Sequence, residues 1–265
     1  MTAVSTPTSA EVEPVIRTLL TRVVAAEDVH GALRRVTLTG PALADLDLPG
    51  PDAFFHLLLP PPGRSDLTVD ESFSWEAHAA TPARDRAVGA YYTVWDHRPD
   101  RAELDVLMVL HGDEGDGSAW AARARPGHPV AIWGPRTTFH PPADADRWVL
   151  CADETGTPAA GRVLRARPPG MPALLLAETD SPSTRQPLPD TGDAEFRWLY
   201  REGAPAGSTT LLEDALAAER LTPDVFVWAA AEHRTVDALR EVARTARVAR
   251  THRSLLAYWR LPTAR

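Results

Sequence analysis

The spacing of apolar residues changes period once along this chain, near Phe139-His140-Pro141-Pro142, and that change constrains the fold more than any other feature. Before it come six short runs rich in β-branched and aromatic residues, separated by Gly or Pro: Arg17–Val29, Leu33–Thr39, Phe54–Leu59, Tyr91–His97, Glu103–His111 and Pro129–Gly134. Such runs read as strands, and six of them suit a small antiparallel barrel. After it, strands at Trp148–Ala152, Ala173–Ala177, Phe196–Tyr200, Val225–Ala230 and Ser254–Trp259 alternate with helical stretches at Pro158–Arg167, Leu211–Arg220 and Thr235–Arg247. Strands joined through helices imply right-handed crossovers, and so a Rossmann-like parallel sheet with a binding crevice at the carboxyl ends of its strands. The sequence therefore predicts a six-stranded antiparallel barrel over 15–141, an α/β domain over 142–265, and a cleft between them suited to a cofactor. The stretch from Pro60 to Gly89 shows no clear period and is expected to be a long functional or disordered loop.

Composition narrows the chemistry. A formal net charge of −8 and the lack of a basic run argue against a nucleic-acid partner, which needs a clustered positive field. No apolar run approaches the roughly 20 residues of a membrane span, and the start of the chain lacks the features of a signal peptide. No membrane partner is expected, and a cytoplasmic location follows. All 28 basic residues are Arg, so Schiff-base lysines and Walker-type phosphate loops are ruled out. The single Cys151 sits in an apolar run and reads as a buried thiol. The histidines form no metal-ligand pair and no Gly-x-Ser-x-Gly elbow is present, so neither a protein-held metal nor a hydrolase triad is expected.

The most informative segment is His111-Gly112-Asp113-Glu114-Gly115-Asp116-Gly117-Ser118-Ala119-Trp120-Ala121, a glycine-interrupted turn leading into a helix expected to begin near Ser118. Such a helix start offers free N–H groups to an anion such as a pyrophosphate, although a plain turn with Ser118 as N-cap explains the same residues. This segment resembles the His-Gly…Gly-Pro-Ala-Ser-x-Trp-Ala stretch of the siderophore-interacting protein family, within the ferredoxin-reductase superfamily. Further landmarks follow in order. Tyr92-Thr93 resembles the flavin motif Arg-x-Tyr-Thr, Gly134-Pro135-Arg136 matches the end of the barrel, and Asp153-Glu154-Thr155-Gly156-Thr157-Pro158-Ala159 is similar to Asp-Glu-Thr-Ala-Leu-Pro-Ala. Trp198-Leu199-Tyr200-Arg201, Trp228-Ala229-Ala230-Ala231-Glu232 and Ala257-Tyr258-Trp259-Arg260 complete the series.

The resemblance implies an FAD-binding barrel and a second domain that receives NADPH or NADH. Hydride passes to the flavin, and electrons then reach a ferric siderophore in the cleft. By matching position, Tyr92, Thr93, Gly115, Ser118 and Trp120 would serve FAD, and Asp153, Thr155, Pro158 and Glu232 the nicotinamide nucleotide. Trp95, Trp259 and Arg260 are the candidates for substrate contact. In the bare sequence, Asp153-Glu154 reads equally as the cap of the following helix, and the aromatics as core or cleft-wall residues.

Several residues depart from the family pattern. Ala90 stands where the flavin motif has Arg, a loss that should weaken FAD by about ten- to a hundredfold. Asp116 replaces Pro and adds a carboxylate beside Asp113 and Glu114, where a diphosphate would lie. Arg123 and Arg125 are near in sequence but have no predicted place. Trp95 stands where the family often has another Arg. Gly156-Thr157 replaces Ala-Leu, and Ala231 replaces a Gly expected to allow a positive φ or close approach of a phosphate. These changes keep a second reading open: a descendant of the fold, with flavin altered or lost, that binds or cyclises an apolar metabolite.

Overall fold

The computed structural model describes residues 16–30, 32–111 and 115–261; Asp113 and Glu114 of the glycine turn lie outside the described residues. Six strands close an antiparallel barrel: β1 (Arg17–His30), β2 (Leu33–Thr39), β3 (Phe54–Leu59), β4 (Val88–Arg98), β5 (Glu103–Val109) and β6 (Pro129–Arg136). Around the barrel they run β1-β2-β5-β4-β3-β6. Period-two alternation decides what points inward. On β3, Phe55, Leu57 and Leu59 are fully buried in the barrel core, joined there by Val94 of β4 and Val106 of β5. Side chains of this size each contribute about 1.5–3 kcal/mol on burial.

The segment from Pro60 to Gly89 is not structureless. It carries a helix, α1 (Trp75–Ala80), whose first turn is capped by the Ser74 hydroxyl accepting from Ala77 N. Aromatic edge-to-face contacts hold it against the outside of the barrel: Trp75 on His56 and Trp133 at 4.9 and 5.3 Å, and Phe73 on Trp133 at 6.3 Å. The helix after the glycine turn, α2 (Asp116–Arg123), begins at Asp116, with Gly115 as N-cap. Ser118 is therefore not the cap; it lies within the helix.

The second domain is a parallel sheet of five strands: β7 (Arg147–Ala152), β8 (Ala173–Thr179), β9 (Glu195–Tyr200), β10 (Val225–Glu232) and β11 (Arg253–Trp259). Its order is β11-β10-β7-β8-β9, so the strand order reverses between β7 and β10. Three helices cover it, α3 (Thr157–Arg165), α4 (Leu211–Ala217) and α5 (His233–Thr245). Trp148, Leu150 and Ala152 face α3, whereas Val149 and Cys151 face α4 and α5. Cys151 is fully buried and burial pushes its thiol pKa up, which makes it a packing residue.

The two domains are joined by more than their linker. Phe139 packs on Trp148 and Phe226 at 5.4 and 5.8 Å. Arg162 of α3 donates to the carbonyls of Pro51 at 2.9 Å and Trp95 at 3.1 Å, and Ser254 Oγ to that of Thr138 at 3.1 Å. No described helix is long and apolar enough to cross a membrane.

Candidate functional site

A cavity of about 630 Å³ opens beside α2, with Arg64, Asp116, Trp120, Arg123, Arg125 and His128 in its lining. Val88 of β4 lines it as well. Alternate residues of a strand share a face, so Ala90 and Tyr92 lie on the same face of β4 as Val88. Three guanidinium groups line the cavity, from Arg64, Arg123 and Arg125. Arg64 is tied to Asp66 and Asp85 at 2.8 and 2.7 Å. Arg123 and Arg125 have no ion-pair partner among the described residues. With the N-terminal turn of α2, these groups make a donor set that fits a diphosphate such as that of FAD; among the described residues of the lining, Asp116 is the opposing carboxylate.

Local geometry explains the glycine turn. Gly115 has φ +90°, a conformation that L side chains rarely adopt. A Cβ on Gly117 would stand 2.3 Å from the Tyr92 hydroxyl oxygen, so the phenol packs directly on the first turn of α2. Burial pushes the Tyr92 pKa up to about 12, which keeps it neutral. Ser118 is buried, and its hydroxyl accepts from His111 N at 3.0 Å. Trp120 packs against the barrel core on one side and lines the cavity on the other.

Farther along β4, buried Thr93 turns to the second domain and shares a hydrogen bond with Tyr258 Oη at 3.1 Å. The β4–β5 register shifts between Val94 and Asp96, which places Trp95 on a bulge. Bulges bend a strand and re-aim side chains beside active sites. The half-buried Trp95 offers its carbonyl to Arg162, so this predicted substrate residue lies where the barrel meets α3.

At the carboxyl ends of the sheet, Asp153 accepts five hydrogen bonds: from Thr155 N, Thr155 Oγ1, Gly156 N, Glu232 N and Trp259 Nε1, at 2.6–3.2 Å. It stitches together the ends of β7, β10 and β11. Burial raises its pKa, a pull that these donors oppose. Glu232 is 1% exposed and spent in the same way, capping α5 through Arg234 N and Thr235 N and accepting from Leu261 N at 3.1 Å. Pro158 is buried in the first turn of α3. Asp153, Thr155, Glu232 and Trp259 are therefore joined in one hydrogen-bonded frame at the strand ends, with Pro158 in the adjoining first turn of α3. Arg260 lies just beyond, exposed and without an ion pair among the described residues.

Two departures read differently once placed. Ala231 is inside β10, fully buried in the core under α5, and is not in a turn of positive φ. Gly156 is a packing requirement, because a Cβ there would stand 2.0 Å from the Ala230 carbonyl oxygen.

Sequence reasoning missed a charged network at the same end of the sheet. Arg201, after β9, binds Glu154 at 2.6 Å and lies 3.5 Å from Glu178. Arg185 lies over the rings of Tyr200 and Trp198, 5.3 and 5.8 Å from their centres. The two arginines are far from their partners in sequence, and only the register of β8 and β9 joins them.

Residues 22–139 match the siderophore-interacting FAD-binding domain family, and residues 145–262 the siderophore-interacting protein family. The crystal structure of a siderophore utilization protein from T. fusca superposes with a TM-score of 0.81 at 30% identity, over 94% of this chain and 95% of that one. Ferric vibriobactin reductase ViuB of Vibrio cholerae is 27% identical over 95% of this chain and 92% of its own length. An NADPH-dependent ferric-chelate reductase of Escherichia coli is 26% identical over 81% and 82%. An uncharacterised protein of Mycobacterium tuberculosis is 35% identical, but the match spans only 38% of this chain and 36% of that protein. The shared barrel and parallel sheet, and the matched segments in both domains, establish that the chain belongs to the siderophore-interacting protein family.

Proposed function

We propose that this protein is an FAD-dependent reductase that oxidises NADH or NADPH and reduces a ferric siderophore. The observation that carries the reading is the cavity beside α2, where Arg123 and Arg125, without an ion-pair partner among the described residues, would supply the charge that Ala90 lacks. Tyr92, Thr93, Gly115 and Trp120 would hold FAD with them, and Ser118 would shape the turn by holding His111. Bound there, FAD would accept a hydride from the nicotinamide and release its electrons one at a time to ferric iron. The frame of Asp153, Thr155, Pro158 and Glu232 would keep the nucleotide crevice open at the strand ends. Trp95 on its bulge, Trp259 and the exposed Arg260 would flank the chelate, with Arg260 supplying charge for an anionic one. We place the domain boundary between residues 141 and 142, and the cytoplasm, with its supply of reduced nicotinamide, as the site of action.

The family and the ferric reductases among its relatives favour a ferric chelate over an apolar metabolite. The test is an anaerobic assay of the FAD-loaded protein with NADPH or NADH, a ferric catecholate and a ferrous-iron chromophore. Ferrous iron formed only when protein, flavin and nucleotide are all present supports the reading. Nucleotide left unoxidised and no ferrous iron would overturn it.

A further inference from the structure

The sheet order, read from the far edge, is β9-β8-β7-β10-β11. This is the 3-2-1-4-5 order of dinucleotide-binding sheets, in which the adenosine ribose lies near the end of the second strand. An acidic side chain there accepts the ribose 2′-hydroxyl and favours NAD, whereas an Arg nearby accommodates a 2′-phosphate. The second strand here is β8, and its terminal acid is Glu178.

Glu178 cannot serve a ribose. It is 4% exposed, accepts from Thr209 Oγ1 at 2.9 Å and lies 3.5 Å from Arg201. Arg201 in turn neutralises Glu154 at 2.6 Å. The other nearby acid, Asp180, accepts from Gly203 N at 2.9 Å. These carboxylates are engaged with the chain itself.

Arg185 is placed otherwise. It follows the Ser181–Thr184 turn after β8, is exposed, and has no carboxylate partner among the described residues. Its guanidinium is held against Tyr200, to whose hydroxyl Nε donates, and near Trp198. Tyr200 pairs with Thr179 at the last position of β8, so this stack sits at the ribose end of the crevice. A guanidinium fixed by aromatic rings loses little further freedom on binding, and its remaining N–H groups match a phosphate geometrically.

We propose that Arg185 binds the 2′-phosphate of NADPH and makes NADPH the preferred reductant, an assignment that rests on the nucleotide-binding role of the second domain proposed above. The test is calorimetric titration of the full chain with 2′,5′-ADP and with 5′-AMP, which differ only in the 2′-phosphate. Wild type is expected to bind 2′,5′-ADP at least tenfold more tightly. Arg185→Ala should bring the two affinities within about twofold without changing that for 5′-AMP, because an exposed side chain is removed. With FAD loaded, the NADPH-to-NADH ratio of kcat/KM should fall at least tenfold in the variant. Equal wild-type affinities, or a preference unchanged in Arg185→Ala, would overturn the assignment while leaving the reductase reading intact. Failure of wild type to bind either nucleotide would overturn both it and the nucleotide half of the proposed function.

Discussion

The hydroxyl groups of Thr93, on barrel strand β4, and Tyr258, on the last strand of the sheet, lie 3.1 Å apart across the domain boundary. Burial pushes the Tyr258 phenol well above its ordinary range, so it stays a neutral hydrogen-bonding group. Tyr258→Phe and Thr93→Val should each lower stability by about 1 kcal/mol, and the double variant by less than the sum. A double-mutant cycle from urea unfolding reads this coupling. Strict additivity would mean that the bond does not join the domains.

Gly156→Ala should be destabilising by about 3 kcal/mol, because its Cβ would meet the Ala230 carbonyl, a backbone atom that cannot move aside without disturbing β10. A shift of the urea midpoint with unchanged slope is the expected outcome. Restoring the residue usual in the family is thus predicted to damage this chain.

Arg123→Ala together with Arg125→Ala should weaken FAD by about ten- to a hundredfold, as the loss of charge-assisted phosphate contacts requires. Flavin fluorescence quenching measures it. Ala90→Arg in the wild-type background should tighten FAD, since position 90 shares a strand face with Val88, which lines the cavity. No change in either variant would place the diphosphate elsewhere.

His56 is held neutral, with its pKa lowered from 6.5 to about 4 by burial first, then by His78 and Arg136. The unfolded chain takes up a proton below pH 6.5 that the folded protein refuses until about pH 4. Stability is therefore full above pH 6.5 and falls as the pH drops between those values. Thermal unfolding at pH 7.5 and 4.5 should show a smaller loss of Tm in His56→Gln than in wild type. Because His56 packs on Trp75, the acid loss should begin with release of α1, visible as a change in tryptophan emission.

The strands and sheet helices were legible because their apolar residues follow period two or three to four, and boundaries differ by only a few residues. Helix α1 was not, because six residues carry no period of their own and the contacts of Phe73 and Trp75 with His56 and Trp133 are long-range. The glycine turn was recognisable, but the cavity beside it was not: Arg123 and Arg125 line it with the Pro60–Ser65 segment only in the folded barrel. Ala231 and Gly156 looked like damage to a cofactor motif until the sheet showed one inside a strand and the other pressed on a carbonyl. Asp153, read either as a cofactor ligand or as a cap, proved to tie three strand ends.

The most direct test of the account is the visible spectrum of the purified protein without oxygen, after adding FAD and then NADPH. The account predicts protein-bound flavin bands that bleach on adding NADPH and return when a ferric chelate is added. Failure to bind flavin at high micromolar FAD would contradict it, since Arg123, Arg125 and the first turn of α2 would then have no diphosphate to hold.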